Sequence, residues 1–152
     1  MEIEYNGEMV EAYDLVISRK IAEQIIKGER TIVTRPMNLF YQNKFVNLEN
    51  APKVEKGELG FQDFYNQIWF AHFHDYGTFS LDVYIDEIGF SFLAEEDVKE
   101  MNEAFDFHDF DNEWQKYIDR PGKEPGYYYL HIDEVIRQSD DNERVWKKRS
   151  RY

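Results

Sequence analysis

The stretch YDLVISRKIAEQIIKGERTIVTR, residues 13–35, carries the best-punctuated elements of the chain. Tyr13 to Ile17 reads as a strand. Ser18 then offers a hydroxyl that accepts from the free N–H groups of a first helical turn. Ile21, Ala22, Ile25 and Ile26 follow on one face at helical spacing. Gly28 closes that helix, because a residue without Cβ enters the left-handed conformation past a helix end without a clash. Thr31-Ile32-Val33-Thr34 is β-branched throughout and reads as the next strand. Pro36 removes a ladder donor and marks its end.

Towards the N-terminus, Tyr5-Asn6-Gly7-Glu8 sets Asn-Gly between two short runs, the signal of a two-residue hairpin turn, so residues 2–11 read as a hairpin. Towards the C-terminus, residues 37–57 follow no clear period and read as a long loop. Glu58 to Phe64 and Ile68 to His74 read as strands, and Asp75-Tyr76-Gly77-Thr78 as a turn. In the next strand Phe79, Leu81, Val83 and Ile85 share one face, while Ser80, Asp82, Tyr84 and Asp86 share the other. That alternation describes a strand with one wet face. A helix near 93–104 brings Ala94, Val98, Met101 and Phe105 together under an acidic outer face. A shorter helix near 111–118 packs Trp114, Tyr117 and Ile118 before Arg120-Pro121-Gly122 stops it. Tyr127 to Ile136 is the last strand, with Leu130 and Ile132 facing in.

Strands and helices do not alternate regularly, which argues against a doubly wound parallel sheet. The expected fold is α+β: a small curved sheet or barrel of about five to six strands, with two to three helices closing one side. The expected organisation is an N-terminal hairpin extension over 1–12, a domain over 13–138, and a flexible basic tail over 139–152. The chain has 152 residues, as one domain requires, and no cysteine, which excludes disulfides, thiolate metal sites and a Cys nucleophile. The N-terminus lacks the basic start and apolar stretch of a signal peptide, and no run is apolar enough to span a bilayer, so the expectation is a cytoplasmic chain without membrane contact. The net charge is −13. Residues 144–152 carry five positive charges and no acid, which leaves −18 on the preceding 143 residues. Such a body repels polyanions at long range, so nucleic acid would need a local basic groove or the tail.

From Leu15-Val16-Ile17-Ser18 through Gly28-Glu29-Arg30-Thr31-Ile32-Val33-Thr34-Arg35, the chain resembles the opening of an ASCH domain, a branch of the PUA-like superfamily. That family follows its first strand and helix with a Gly-x-Lys-Thr-x-Glu-x-Arg stretch. Gly28, Thr31 and Arg35 match it, while Arg30 stands at the lysine position and Val33 at the acid position. Lys56-Gly57-Glu58-Leu59 is similar to the family's turn entering a strand, and Phe105 to Val135 to its closing helix and strand. The resemblance covers most of residues 13–136. It implies a PUA-like barrel with a cleft beside residues 28–35 that binds RNA, a nucleotide or a modified nucleoside. One branch of the family hydrolyses N4-acylated cytidines with a lysine and a threonine on this segment. Those positions here are Arg30 and Val33. Valine has no nucleophilic oxygen, and an arginine that stays protonated cannot serve as a lysine base. Thr34, one residue along, points to the opposite face of a strand.

Read physically, Arg30, Thr31 and Arg35 place two guanidiniums and a hydroxyl on one short segment, able to grip a phosphate or a base edge. Lys20 and Thr34 complete the candidate ligand-binding set. The alternative is that Gly28 is only a cap and that the arginines pair with this chain's many carboxylates. His72 and His74 lie two apart on one strand and so share a face, near Asp75. Ile68 and Phe70 share that face too, which favours packing, and no third ligand stands at recognisable spacing, so no metal is expected. The Phe, His and Trp residues of 105–114 are interleaved with acids, which favours packing over base stacking. No phosphate-cradling glycine loop and no hydrolase elbow occurs, so no cofactor is expected. Three functions follow: a binding module for RNA, nucleotide or nucleoside, an amidohydrolase of acylated nucleosides, and an acidic protein that docks a basic partner or mimics nucleic acid.

Overall fold

The structure, a computed structural model, describes residues 1–140. Seven strands and four helices follow the order β1 (Glu2–Tyr5), β2 (Glu8–Glu11), β3 (Tyr13–Val16), α1 (Arg19–Ile26), β4 (Ile32–Pro36), α2 (Leu39–Phe45), α3 (Ala51–Glu55), β5 (Phe70–His74), β6 (Phe79–Phe92), α4 (Glu95–Phe105) and β7 (Gly126–Asp140). Strands β1 and β2 pair as a hairpin. The other five form one mixed sheet in the order β3-β5-β6-β7-β4. The α+β class stands, but the sheet is open: β3 and β4 end it, and it does not close into a barrel.

The chain divides into two compact units. The first comprises Met1–Ile32, Ile68–Glu87 and the chain from His131. The second comprises Val33–Gln67 and Ile88–Leu130.

In the first unit the local signals act as read. Asn6 and Gly7 both take positive φ, the geometry of a tight hairpin turn, and Glu2 pairs with Glu11 at its open end. The Ser18 hydroxyl accepts from the Ile21 N–H at 3.2 Å, and Gly28 sits at φ +76°. Strand β3 runs parallel to β5, with Tyr13 opposite Ala71 and Val16 opposite His74; β5 runs antiparallel to β6. Pleating then sorts the side chains. Tyr13, Leu15, Ala71, Phe73, Leu81, Val83 and Ile85 lie on the core face, each under 5% exposed. Asp14, His72, His74, Ser80, Asp82 and Tyr84 fall on the other face.

In the second unit three expectations are corrected. Residues 37–57 are not a long loop: they form α2 and α3. Asn38 caps α2 by accepting from the Tyr41 N–H at 3.0 Å, and Pro52 sits in the first turn of α3, where its missing N–H costs nothing. Glu58 to Phe64 is not a strand, since Phe61–Phe64 forms a single 3-10 turn. The helix expected near 111–118 is likewise only a 3-10 turn, over Trp114–Tyr117. The core here is aromatic. Phe45 is fully buried, edge-on to Tyr128 at 5.5 Å, and Phe110 lies 4.7 Å from Tyr127. Four helices thus replace the expected two to three. Strands β6 and β7 are longer than read, and β7 takes in Ser139 and Asp140 of the expected tail. The remainder of that tail lies outside the described residues.

Candidate functional site

The five residues singled out by sequence are divided between the units: Lys20, Arg30 and Thr31 belong to the first, Thr34 and Arg35 to the second. Lys20 is exposed on the first turn of α1. Arg30 is half-buried, and its guanidinium donates to Gln24 Oε1 at 2.8 Å and to the Ile32 carbonyl at 3.3 Å. Arg30 therefore braces the end of α1 against the start of β4. The Thr31 carbonyl accepts from the Ile132 N–H at 2.8 Å. Arg35 donates to the Thr34 carbonyl at 2.7 Å and lies over the Tyr41 ring, 5.9 Å from its centroid. Burial pulls its pKa below the ordinary value, and the Tyr41 side chain acts the other way. An arginine stays charged through such a shift. Arg35 is thus a cation held beside the Tyr41 ring at the exit of β4.

Directly after Arg35 the chain enters a pocket in the second unit with a volume of about 390 Å³. Its aromatic walls are Phe64, Phe90, Phe92 and Tyr128; Met37 and Leu39 extend the apolar surface, and Asn38 and Gln42 bring the carboxamides. The sequence builds this locally. The Asn38 cap turns the chain into α2, which carries Leu39 and Gln42 to the pocket. Phe90 and Phe92 alternate with Gly89 and Ser91, so both point to one face of β6, with ring centroids 5.8 Å apart and edge to face. Gly126 has no Cβ, which leaves room for the Met37 thioether and the Phe92 ring; a methyl there would come within 2.9 Å and 3.1 Å of them. The Asn38 oxygen is spent on the cap. Among the described residues the Gln42 carboxamide makes no hydrogen bond within the protein. Sequence reasoning missed this pocket. The available signal was the pair Phe90 and Phe92, two large apolar side chains on the wet face of a strand, each 37% exposed.

In the first unit, histidines on the wet face are each given to a carboxylate. His72 Nδ1 lies 2.5 Å from Asp82 Oδ1, His74 Nε2 lies 2.5 Å from Asp14 Oδ1, and His131 Nδ1 lies 2.5 Å from Asp86 Oδ1. Asp82 is only 6% exposed and also accepts from Arg137 at 2.8 Å. Among the described residues no three His, Asp or Glu are grouped so as to hold a metal ion. No helix among them is long and apolar enough to cross a membrane. Comparison with family models, with curated proteins and with solved structures returns no match.

Proposed function

We infer that the chain is a binding module for a nucleobase-bearing ligand, ASCH-like in its 28–35 segment, and that the base occupies the aromatic pocket of the second unit. The observation that carries this reading is the pocket itself. Its walls are flat rings, and the Gln42 carboxamide, which makes no hydrogen bond among the described residues, has a donor and an acceptor side by side. A base needs such a pair: stacking faces for its π-system and a carboxamide for the donor and acceptor atoms on its edge. The volume suits one nucleoside rather than a strand of nucleic acid. Arg35 on Tyr41 supplies a cation two residues before Met37 of the lining, where a ribose or phosphate oxygen can meet it. The PUA-like relationship is part of this reading, as a likeness of local segments rather than of a closed barrel.

The hydrolase alternative gains no observation. Val33 is 3% exposed and has no oxygen to offer, and Arg30 is bound to Gln24. An amide-resolved titration of the labelled chain with the four common ribonucleosides tests binding. Saturable shifts should gather at residues 37–42, 64 and 90–92. Replacing Phe90 with Ala should weaken the best ligand by about 1–3 kcal/mol, the range for losing one stacked base. The melting temperature should hardly change, because the ring is partly exposed in the free protein. Undiminished affinity in Phe90→Ala would remove the base from this pocket.

A further inference from the structure

The wet face of the first unit holds a second cavity, of about 370 Å³, that the nucleobase reading does not use. It is lined by Met1, Asp14, His72, His74, Tyr76, Ser80 and Ser139, among others, and among the described residues no lysine or arginine side chain lines it.

The hydrogen bonds fix what these groups present. His72 gives its Nδ1 to Asp82, a buried carboxylate that is itself locked by Arg137. In the neutral ring Nδ1 then carries the proton, and Nε2 is left as an acceptor. No other protein group among the described residues takes that nitrogen. His74 is held differently. Its Nδ1 accepts from the Tyr76 N–H at 3.1 Å, so the proton is on Nε2 and goes to Asp14. His74 is thereby a strut: it orients Asp14 on one side and Tyr76 on the other.

Tyr76 is the unusual residue. It is 84% exposed, and it takes φ +69°, a conformation that costs a residue with a Cβ and is ordinarily left to glycine or asparagine. Its ring stands edge-on to His74 at 5.5 Å. The turn that presents it is tied down: Asp75 accepts from the backbone of Thr78 and Phe79 and from the Thr78 hydroxyl, which in turn accepts from Arg19. Tyr76 is thus a solvent-facing aromatic ring that a braced turn holds on the lining of a polar cavity.

The site therefore offers a flat face with a polar tip, His72 Nε2 as the acceptor of the neutral ring, the Asp14 carboxylate held by His74, and the hydroxyls of Ser80 and Ser139. The two serine hydroxyls make no hydrogen bond among the described residues. The His72 acceptor wants a donor. A hydroxyl group satisfies it and can then accept from a serine. Anions are disfavoured by the Asp14 carboxylate, and a large apolar ligand would leave these polar groups unpaired. We propose that this cavity is a binding site for a neutral sugar ring, free or at the end of a glycan chain, with Tyr76 against its apolar C–H face and His72 Nε2 accepting from a ring hydroxyl.

The test is an amide and imidazole titration of the full-length labelled chain with a panel of neutral monosaccharides and short neutral oligosaccharides. The prediction is a saturable shift at His72, Tyr76 and Ser139 with at least one sugar. Replacing Tyr76 with Asn suits the left-handed backbone, so the variant keeps or raises the melting temperature. It should weaken binding about tenfold or more, as loss of an aromatic contact does. His72→Gln should weaken it likewise. Should His72→Gln fail to fold, Tyr76→Asn alone decides. Tighter binding of an oligosaccharide than of its terminal unit identifies a glycan end, and equal binding a free sugar. The proposal is overturned if no sugar in large excess produces a saturable shift in the first unit, or if the shifts survive undiminished in Tyr76→Asn.

Discussion

At the scale of single residues, several charged groups are held by one another. His108 shows the pattern. Its two ring nitrogens face Asp106 Oδ1 at 2.7 Å and Asp111 Oδ2 at 3.0 Å, a geometry that only a doubly protonated imidazole satisfies with two donors. The hydrogen bond to Asp106, then that to Asp111, raises its pKa above the ordinary histidine value. A raised folded-state pKa adds stability that is fully present below the unfolded value of about 6.5 and is lost as pH rises through the folded value. The imidazole resonances of His108 should therefore titrate above the ordinary midpoint. The stability difference between wild type and His108→Ala should shrink across that same interval. A midpoint at or below the ordinary value would contradict the two-donor arrangement. The same economy explains what the sequence revealed of the 28–35 segment. Gly28 was legible as a cap because the requirement is local. The partners of Arg30 and Arg35, Gln24 and Tyr41, were not, because a guanidinium reaches several neighbours and the sequence alone does not say which one it takes.

At the scale of elements, legibility followed periodicity. Strand β6 was readable because Phe79, Leu81, Val83 and Ile85 are buried on one side while the other side carries polar groups. Its extension to Phe92 was not, because two exposed residues in succession, Asp86 and Glu87, interrupt the alternation. Helix α2 was missed for a related reason. Its residues Leu39 and Phe40 are 74% and 64% exposed, so its apolar side chains do not follow a helical core stripe. Leu39 instead lines the pocket of the second unit. The second half of β6 makes a further demand. Gly89 is buried, and a Cβ there would lie 2.6 Å from Tyr129 Oη and 2.7 Å from Cζ. The Tyr129 ring is flanked in turn by Phe105 at 5.7 Å, so it cannot swing away cheaply. Gly89→Ala should destabilise the protein by about 1–3 kcal/mol, the usual range for overpacking, as read from denaturant midpoints. Adding Tyr129→Ala should recover part of the loss; a second substitution whose cost simply adds to the first would mean that the two groups do not meet.

At the scale of the whole molecule, charge governs which ligands can approach. The net charge of −13 and the sequence pI near 4.7 oppose an incoming polyanion before any local cation can act. The pocket with Phe90 and Gln42 should therefore bind a nucleoside more tightly than its 5′-monophosphate at low ionic strength. The gap should narrow as added salt shortens the screening length to about 8 Å near physiological strength. Titrations of both ligands at two salt concentrations measure this, and tighter binding of the monophosphate at low salt would show that Arg35 outweighs the field of the body. No reading of the sequence assembled this pocket, because its walls come from residues 37–42, 64, 90–92 and 128, and long-range proximity leaves no local mark. The open sheet has a separate consequence. A sheet that does not close keeps two rims, and a rim is a template on which another copy can add its own backbone and begin a fibre. Here the outermost strands are β3, four residues long, and β4, five residues long and ended by Pro36, whose nitrogen has no hydrogen to donate. Neither rim is long enough to seed an orderly stack, so resistance to fibre growth is built into the strand lengths as well as into the charge.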